Sequence, residues 1–196
     1  LVASDRADAR ALERARARRI PSLALRTRAN PAGVALGDAL AQHRADFVVL
    51  AGYLRLVPAD VVRAFPARIV NIHPALLPAF GGPGMYGHHV HEAVLARGAT
   101  LSGATVHFVD EVFDHGAIIA QWPVPVLAGD TPDTLAARVL GVEHVLYPRV
   151  VQALASGRVT PGAPLLAGPA QRSLHFQLTA GDDRQLVEDI EHALAL

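Results

Sequence analysis

The sequence predicts an α/β fold with a mainly parallel sheet. Two observations carry that expectation. Short apolar runs alternate along the chain with segments of helical period, which is the pattern of strand–helix–strand units. One of those runs, DFVVL over 46–50, is continuously apolar after a polar entry, as a strand covered on both faces must be.

The elements follow in order. Residues 1–4 read as the end of a short strand, and 5–19 as a helix with Leu12 and Ala15 on its apolar side and Arg elsewhere. A second short strand falls at 20–25 and a helix at 33–43. The strand at 46–50 ends at Ala51 and Gly52. Pro58 opens a short helix to 65, where a missing N–H costs nothing. The strand at 68–72 is stopped by Pro74. Residues 77–87 (LPAFGGPGMYG) hold four Gly and two Pro, too many for a regular element, and read as a loop. A helix at 88–97 and strands at 104–109 and 117–126 come next. Pro123 and Pro125 mark the last of these as an edge or bent strand. Thr131 and Pro132 form an N-cap and first turn, and the helix they open runs towards 155 with a disturbance expected at Pro148. Residues 157–171 read as a linker and 175–179 as an added strand. The segment 183–196 is amphipathic, with Leu186, Val187, Ile190 and Leu194 apolar, and reads as a docking appendage or a dimer element.

Composition narrows the chemistry. The chain has 196 residues, 18 basic against 18 acidic, so charge alone marks it for neither nucleic acid nor a membrane surface. It has no Cys, which excludes thiolate nucleophiles, disulfides and Cys-ligated zinc. All 18 basic residues are Arg, which excludes Schiff-base and phosphate-loop lysines. No apolar run is long enough to span a bilayer, and the Arg-rich opening lacks the apolar stretch of a signal peptide, so a cytoplasmic protein is the expectation.

Two segments carry candidate chemistry. In IVNIHPALLP, Asn71 and His73 stand two apart at the end of a strand, hence on one face. The carboxyl end of a parallel strand is where open α/β sheets bind ligands. An amide donor beside an imidazole can clamp an oxyanion and supply a proton in acyl transfer, and the same pair also suits a hydrogen-bonded structural histidine. In FVDEVFDHGAIIAQ, Asp110, Glu111 and Asp114 cluster on a turn. They read as a solvated turn, a divalent-metal site, or a source of one carboxylate that holds His73 and favours its protonated form. No spacing supports the metal reading. His88, His89 and His91 follow the Gly-rich loop; substrate contacts, a His-x-His metal pair and plain helix-start positions are the readings for them.

The runs AGYLRLVPADVV, RIVNIHPALLPAFGG, GATVHFVDEVFDHGAIIAQ and AGDTPDTLAARVLGVEHVLYP together resemble the phosphoribosylglycinamide formyltransferase family, over residues 1–158 and in order. The motifs NIHP-x-LLP and D-E-x-x-D-x-G are specific when they occur together. The resemblance implies the formyltransferase fold, a Rossmann-like and mainly parallel sheet with helices on both faces. It implies a catalytic domain over 1–158, with a linker and amphipathic tail over 159–196. It also implies an activity: transfer of formyl from the co-substrate 10-formyltetrahydrofolate to the amine of glycinamide ribonucleotide in purine synthesis, with neither metal nor covalent enzyme intermediate. Asn71, His73 and Asp114 match the family's catalytic trio: the resemblance implies that protonated His73 and the Asn71 amide stabilise the oxyanion, with Asp114 raising the His73 pKa and helping to shuttle protons. Leu54, Arg55, Leu56, Val57, Asn71, Asp110 and Glu111 match its folate contacts. Pro74, Glu143 and His144 match its nucleotide contacts.

Small-molecule substrates and a monomer or homodimer are the partners expected, with no nucleic acid and no membrane. The family's opening strand and Gly-rich phosphate loop have no match, so the chain is expected to start one βα unit late. Formyltetrahydrofolate deformylase shares the trio but hydrolyses the formyl group. Methionyl-tRNA formyltransferase shares it too, but its RNA-binding C-terminal domain has no counterpart in a short acidic tail. A non-catalytic folate-binding fragment is the rival of a different class.

Overall fold

The computed structural model describes residues 1–28, 33–158 and 180–194. The chain opens with β1 (Val2–Ser4), α1 (Arg10–Ala17), β2 (Ser22–Ala24) and α2 (Leu36–Gln42). Next come β3 (Val48–Leu50), α3 (Ala59–Ala64), β4 (Ile69–His73) and α4 (His88–Ala96). It closes with β5 (Leu101–Phe108), β6 (Ile118–Pro125), α5 (Pro132–Ala155) and α6 (Ala180–Leu194). Helix α1 starts at Arg10 rather than near Asp5, because Arg6 and Asp8 pair at 3.1 Å in a turn ahead of it. The strand expected at 175–179 and the linker from 159 onward lie outside the described residues. No described helix is long and apolar enough to cross a membrane.

The α/β class holds. Strands β1 and β2 pair in parallel as a two-stranded sheet, and β3 pairs in parallel with β4. The second half departs from parallel pairing: β4, β5 and β6 run antiparallel, with β6 at the edge where Pro123 and Pro125 place it. Consecutive residues of β4 feed two cores. Val70 joins a large cluster under α5 with Val106, Trp122, Leu135, Val139, Val142 and Leu146. Ile69 joins a smaller one with Leu40, Val48, Val57 and Val61 from the side of α2 and α3. Ile69 and Val70 of β4 are thus covered on opposite faces. The run at β3, expected to be covered on both faces, is not: Val48 is buried but Val49 stays 45% exposed.

Helix α5 is the spine. Its buried residues recur at helical period from Leu135 to Leu154. Thr131 and Thr134 close a reciprocal cap at its start. Arg138 grips Asp130 with two 2.8 Å bonds and donates to the Pro125 carbonyl, tying the helix to the end of β6. Pro148 does not break the helix. The carbonyl it deprives of a donor belongs to His144, which is exposed and can be hydrated. Helix α6 packs on α5, with Ile190 fully buried and Asp189 bonded to Arg149 at 2.5 Å.

The Tyr147 hydroxyl reaches the carbonyls of Leu50 at 2.7 Å and Val70 at 3.0 Å, so one side chain pins α5 to the ends of β3 and β4. Burial in that position pushes the phenol pKa up, although the Leu50 contact opposes it. Tyr147→Phe should keep the packing and cost about 1–2 kcal/mol, the toll for leaving buried carbonyls without their donor. Urea unfolding of the two proteins measures this, and equal midpoints would show that the hydroxyl does not hold the strands.

Candidate active site

The register of β4 against β5 builds the site. Asn71 stands directly opposite His107, and His73 directly opposite Thr105. Opposed residues of an antiparallel pair share a face, so four polar side chains form one patch, turned away from the core under α5. The β5–β6 ladder shifts between Val106 and His107, and such an irregularity re-aims side chains beside functional sites. Thr105 fixes the chain that leaves β4. Its hydroxyl donates to the Ala75 carbonyl at 2.6 Å and accepts from the Leu77 amide at 3.0 Å.

The Gly-rich loop then folds back over His73. The His73 Nε2–H donates to the Phe80 carbonyl at 2.8 Å, which leaves Nδ1 facing Asp114 Oδ1 at 3.6 Å. The Asp114 carboxylate is held by the Gly82 amide at 2.9 Å. A Cβ on Gly81 would stand 2.5 Å from the Leu77 Cδ2 and 3.2 Å from the Asp114 Cβ, so a larger residue there would have to displace the Leu77 side chain and crowd the Asp114 turn. One on Gly116 would stand 1.9 Å from the Phe108 carbonyl, so the turn that carries Asp114 must return through glycine. Phe80 and Asp114 both adopt positive φ, 55° and 53°, a strain that the surrounding contacts hold in place.

Two imidazoles share one carboxylate oxygen, since His107 Nε2 is also 3.6 Å from Asp114 Oδ1. His107 donates from Nδ1 to its neighbour's carbonyl, Phe108, at 2.7 Å, and so accepts at Nε2 from the Asn71 amide at 3.2 Å. One N–H of Asn71 is thereby spent on His107 and the other remains for a ligand. Burial pushes the His73 pKa down; Asp114 and the Phe80 carbonyl push it up without restoring it. The resemblance implied a protonated His73; Asp114 does push its pKa up, but desolvation outweighs that push and the net direction is down, so the neutral ring is favoured instead. Burial likewise lowers His107, against the Phe108 carbonyl and Asp114.

Asn71, His73 and His107 form the floor of a cleft of about 520 Å³, with Thr105 buried beneath it. Leu54, Arg55, Leu56 and Val57 line it, as do Asn71, His73, Pro74, Asp110, Asp114 and Glu143. Leu54, Leu56, Val112 and Phe113 are exposed apolar side chains around it, a surface suited to a flat ring. Asp110 is raised by burial, but its bonds to His115 and the Val112 amide more than offset that and hold it low. Two expected contacts stand outside the lining: Glu111 pairs with Arg63 at 3.1 Å, and His144 is exposed on α5. Among the described residues, no group of three or more acidic or histidine side chains is placed to hold a metal ion. Sequence reasoning missed His107 and Thr105. Their i, i+2 spacing in ATVHFVD was the available signal, but it acquires meaning only once the β4 register is known.

An open α/β sheet with an amide, two imidazoles and a carboxylate gathered beside its strand ends can bind a carbonyl oxygen and move a proton, chemistry that acyl transfer shares with other reactions. The model of the family described as "Formyl transferase" matches residues 1–151, and the chain belongs to that family. Within it, the chain is similar to proteins named phosphoribosylglycinamide formyltransferase. It is 57% identical over 134 residues to the chloroplastic protein of Vigna unguiculata, covering 67% of this chain and 43% of that one. It is 36% identical over 158 residues to the Bacillus subtilis protein, covering 79% and 78%. The crystal structure of glycinamide ribonucleotide transformylase 1 from Symbiobacterium toebii superposes with a TM-score of 0.71 at 43% identity, covering 82% of this chain and 76% of that one. The chain spans less than half the length of the plant relatives it matches.

Burial also pushes Glu143 up to about 7. The ordinary carboxyl value is 4.5. Between those values the folded chain keeps a proton that the unfolded chain has released, so rising pH costs stability across that window. Glu143→Gln removes this loss. Its thermal midpoint should exceed that of the wild type at pH 8 and match it at pH 4; equal midpoints at both would show that Glu143 titrates normally.

Proposed function

We propose that this chain transfers the formyl group of 10-formyltetrahydrofolate to the primary amine of N1-(5-phosphoribosyl)glycinamide, a step of purine synthesis. The observation that carries the proposal is the convergence of Asn71, His73 and Asp114 on the floor of one cleft, from strand β4 and from the turn between β5 and β6. The relatives named above support the substrate pair.

The residues account for the chemistry as a direct transfer. The amine attacks the formyl carbon, its nitrogen gains positive charge, and the carbonyl oxygen becomes an oxyanion. The free N–H of Asn71 donates to that oxygen. His73 rests neutral because burial holds its pKa down, so Nδ1 is a base able to take the proton from the attacking nitrogen. Nε2 is tied to Phe80, which leaves Nδ1 as the working nitrogen. The imidazolium formed lies beside Asp114, which stabilises it. Its proton then goes to the folate nitrogen as the C–N bond breaks, giving the formamide and tetrahydrofolate. Leu54, Leu56 and Val57 form an apolar wall for the pterin, with Arg55 and Asp110 beside it. Pro74 and Glu143 lie where the nucleotide would sit, Glu143 as an acceptor for ribose hydroxyls. Glu111 and His144 could reach a ligand only by leaving their present positions.

His73→Ala, with an unchanged circular dichroism spectrum, should lower turnover of formyl transfer by roughly 10²–10⁴-fold, the usual contribution of a positioned general acid–base group. Near-normal turnover by the folded variant would overturn the assignment.

A further inference from the structure

Three buried histidines line the cleft, and one of them is incompletely bonded. His107 has both ring nitrogens hydrogen-bonded, and His73 has Nε2 bonded to the Phe80 carbonyl with Nδ1 facing Asp114 at 3.6 Å. His91, only 4% exposed, lies one turn into α4 on its buried face, and its Nδ1 is buried without a hydrogen-bond partner. A purely structural imidazole at that depth would be expected to satisfy both nitrogens. An orphaned lone pair is better tolerated than an orphaned N–H, so the neutral ring keeps its proton on Nε2. Since His91 lines the cleft, Nε2 is the nitrogen left to meet a ligand.

The position of α4 selects which ligand. Helix α4 packs on α5, the helix that brings Ala136, Leu140 and Glu143 to the cleft, and His88 at its start pairs with Asp133 at 3.3 Å. The apolar wall of Leu54, Leu56 and Val57 comes from a different part of the chain. His91 lines the same cleft as His73 and Glu143. We propose that His91 is a substrate-binding residue of the acceptor side, its Nε2–H donating to the amide carbonyl next to the reacting amine. This assignment rests on the function proposed above. A neutral donor suits the place. Burial, then His88 and His73, hold its pKa below the ordinary value, so no second cation opposes the imidazolium that forms at His73. The contact would align the amine for attack rather than take part in proton transfer.

Three variants of the full chain test this. Gln places an amide nitrogen near the site of Nε2, Asn near that of Nδ1, and Phe keeps the ring without either. Calorimetry with phosphoribosylglycinamide and, separately, with a reduced folate should show His91→Phe weakening the nucleotide roughly 10-fold, the worth of one neutral hydrogen bond. His91→Gln should stay within about threefold of the wild type while His91→Asn falls with Phe. Folate affinity and the pH profile of kcat should not move. A folded Phe variant with wild-type nucleotide affinity overturns the contact, as does equal loss of both ligands, or rescue by Asn instead of Gln. Should the Phe variant fail to fold, the Gln and Asn pair decides alone. A wild-type chain that binds neither ligand overturns the functional reading and the contact with it; one that binds both while the variants change nothing overturns the contact only.

Discussion

The antiparallel pairing of β4 with β5 is the constraint on which the site depends. Asn71 opposite His107 and His73 opposite Thr105 put four polar side chains on one face, while Val70 and Val106 on the other face enter the main core. A one-residue slip would exchange the two sets, burying the polar groups under α5 and exposing the apolar ones. The core thus enforces the register, and the register positions the chemistry. Thr105 extends this control beyond the sheet, because its hydroxyl fixes the Ala75 and Leu77 backbone that leads to the Gly-rich loop.

That loop and the Asp114 turn solve an electrostatic problem. A buried imidazole resists protonation, and His73 is 3% exposed. Asp114 opposes the penalty without cancelling it, and it divides its attention between His73 and His107. The division is unequal in function. His107 is locked in one tautomer by the Phe108 carbonyl and spends its other nitrogen on Asn71, so it orients the amide rather than carrying a proton. His73 keeps Nδ1 free of any such bond. Positive φ at both Phe80 and Asp114 shows where backbone strain is spent to obtain this arrangement.

Much of this was legible in the residues. The cap at Thr131 and the apolar period of α5 follow from local rules, and the structure has both; the apolar run at 46–50 does form a strand, but with Val49 exposed rather than covered. Asn71 and His73 were visible as a pair because spacing along one strand is a local property. His107 was not, since its role depends on which strand lies beside it and in which direction. The meeting of the two loops, joined by the Gly82 amide on Asp114 with Gly81 packed close to the Asp114 Cβ, is a tertiary contact that no local pattern encodes. The start of α1 slipped from 5 to 10 because an Arg6–Asp8 pair favours a turn over the first helical residues. Glu111 and His144 show the converse limit: a motif match places a residue in sequence, while an ion pair to Arg63 or an exposed helix face decides whether it reaches the cleft.

The central claim is that Asp114 stabilises the protonated form of His73 across 3.6 Å. Titration of the His73 ring by NMR, in the wild type and in Asp114→Asn, tests it most directly. Removing the charge should leave burial unopposed, so the His73 pKa should fall further below its ordinary value of 6.5. An unchanged or higher pKa in Asp114→Asn would contradict the account.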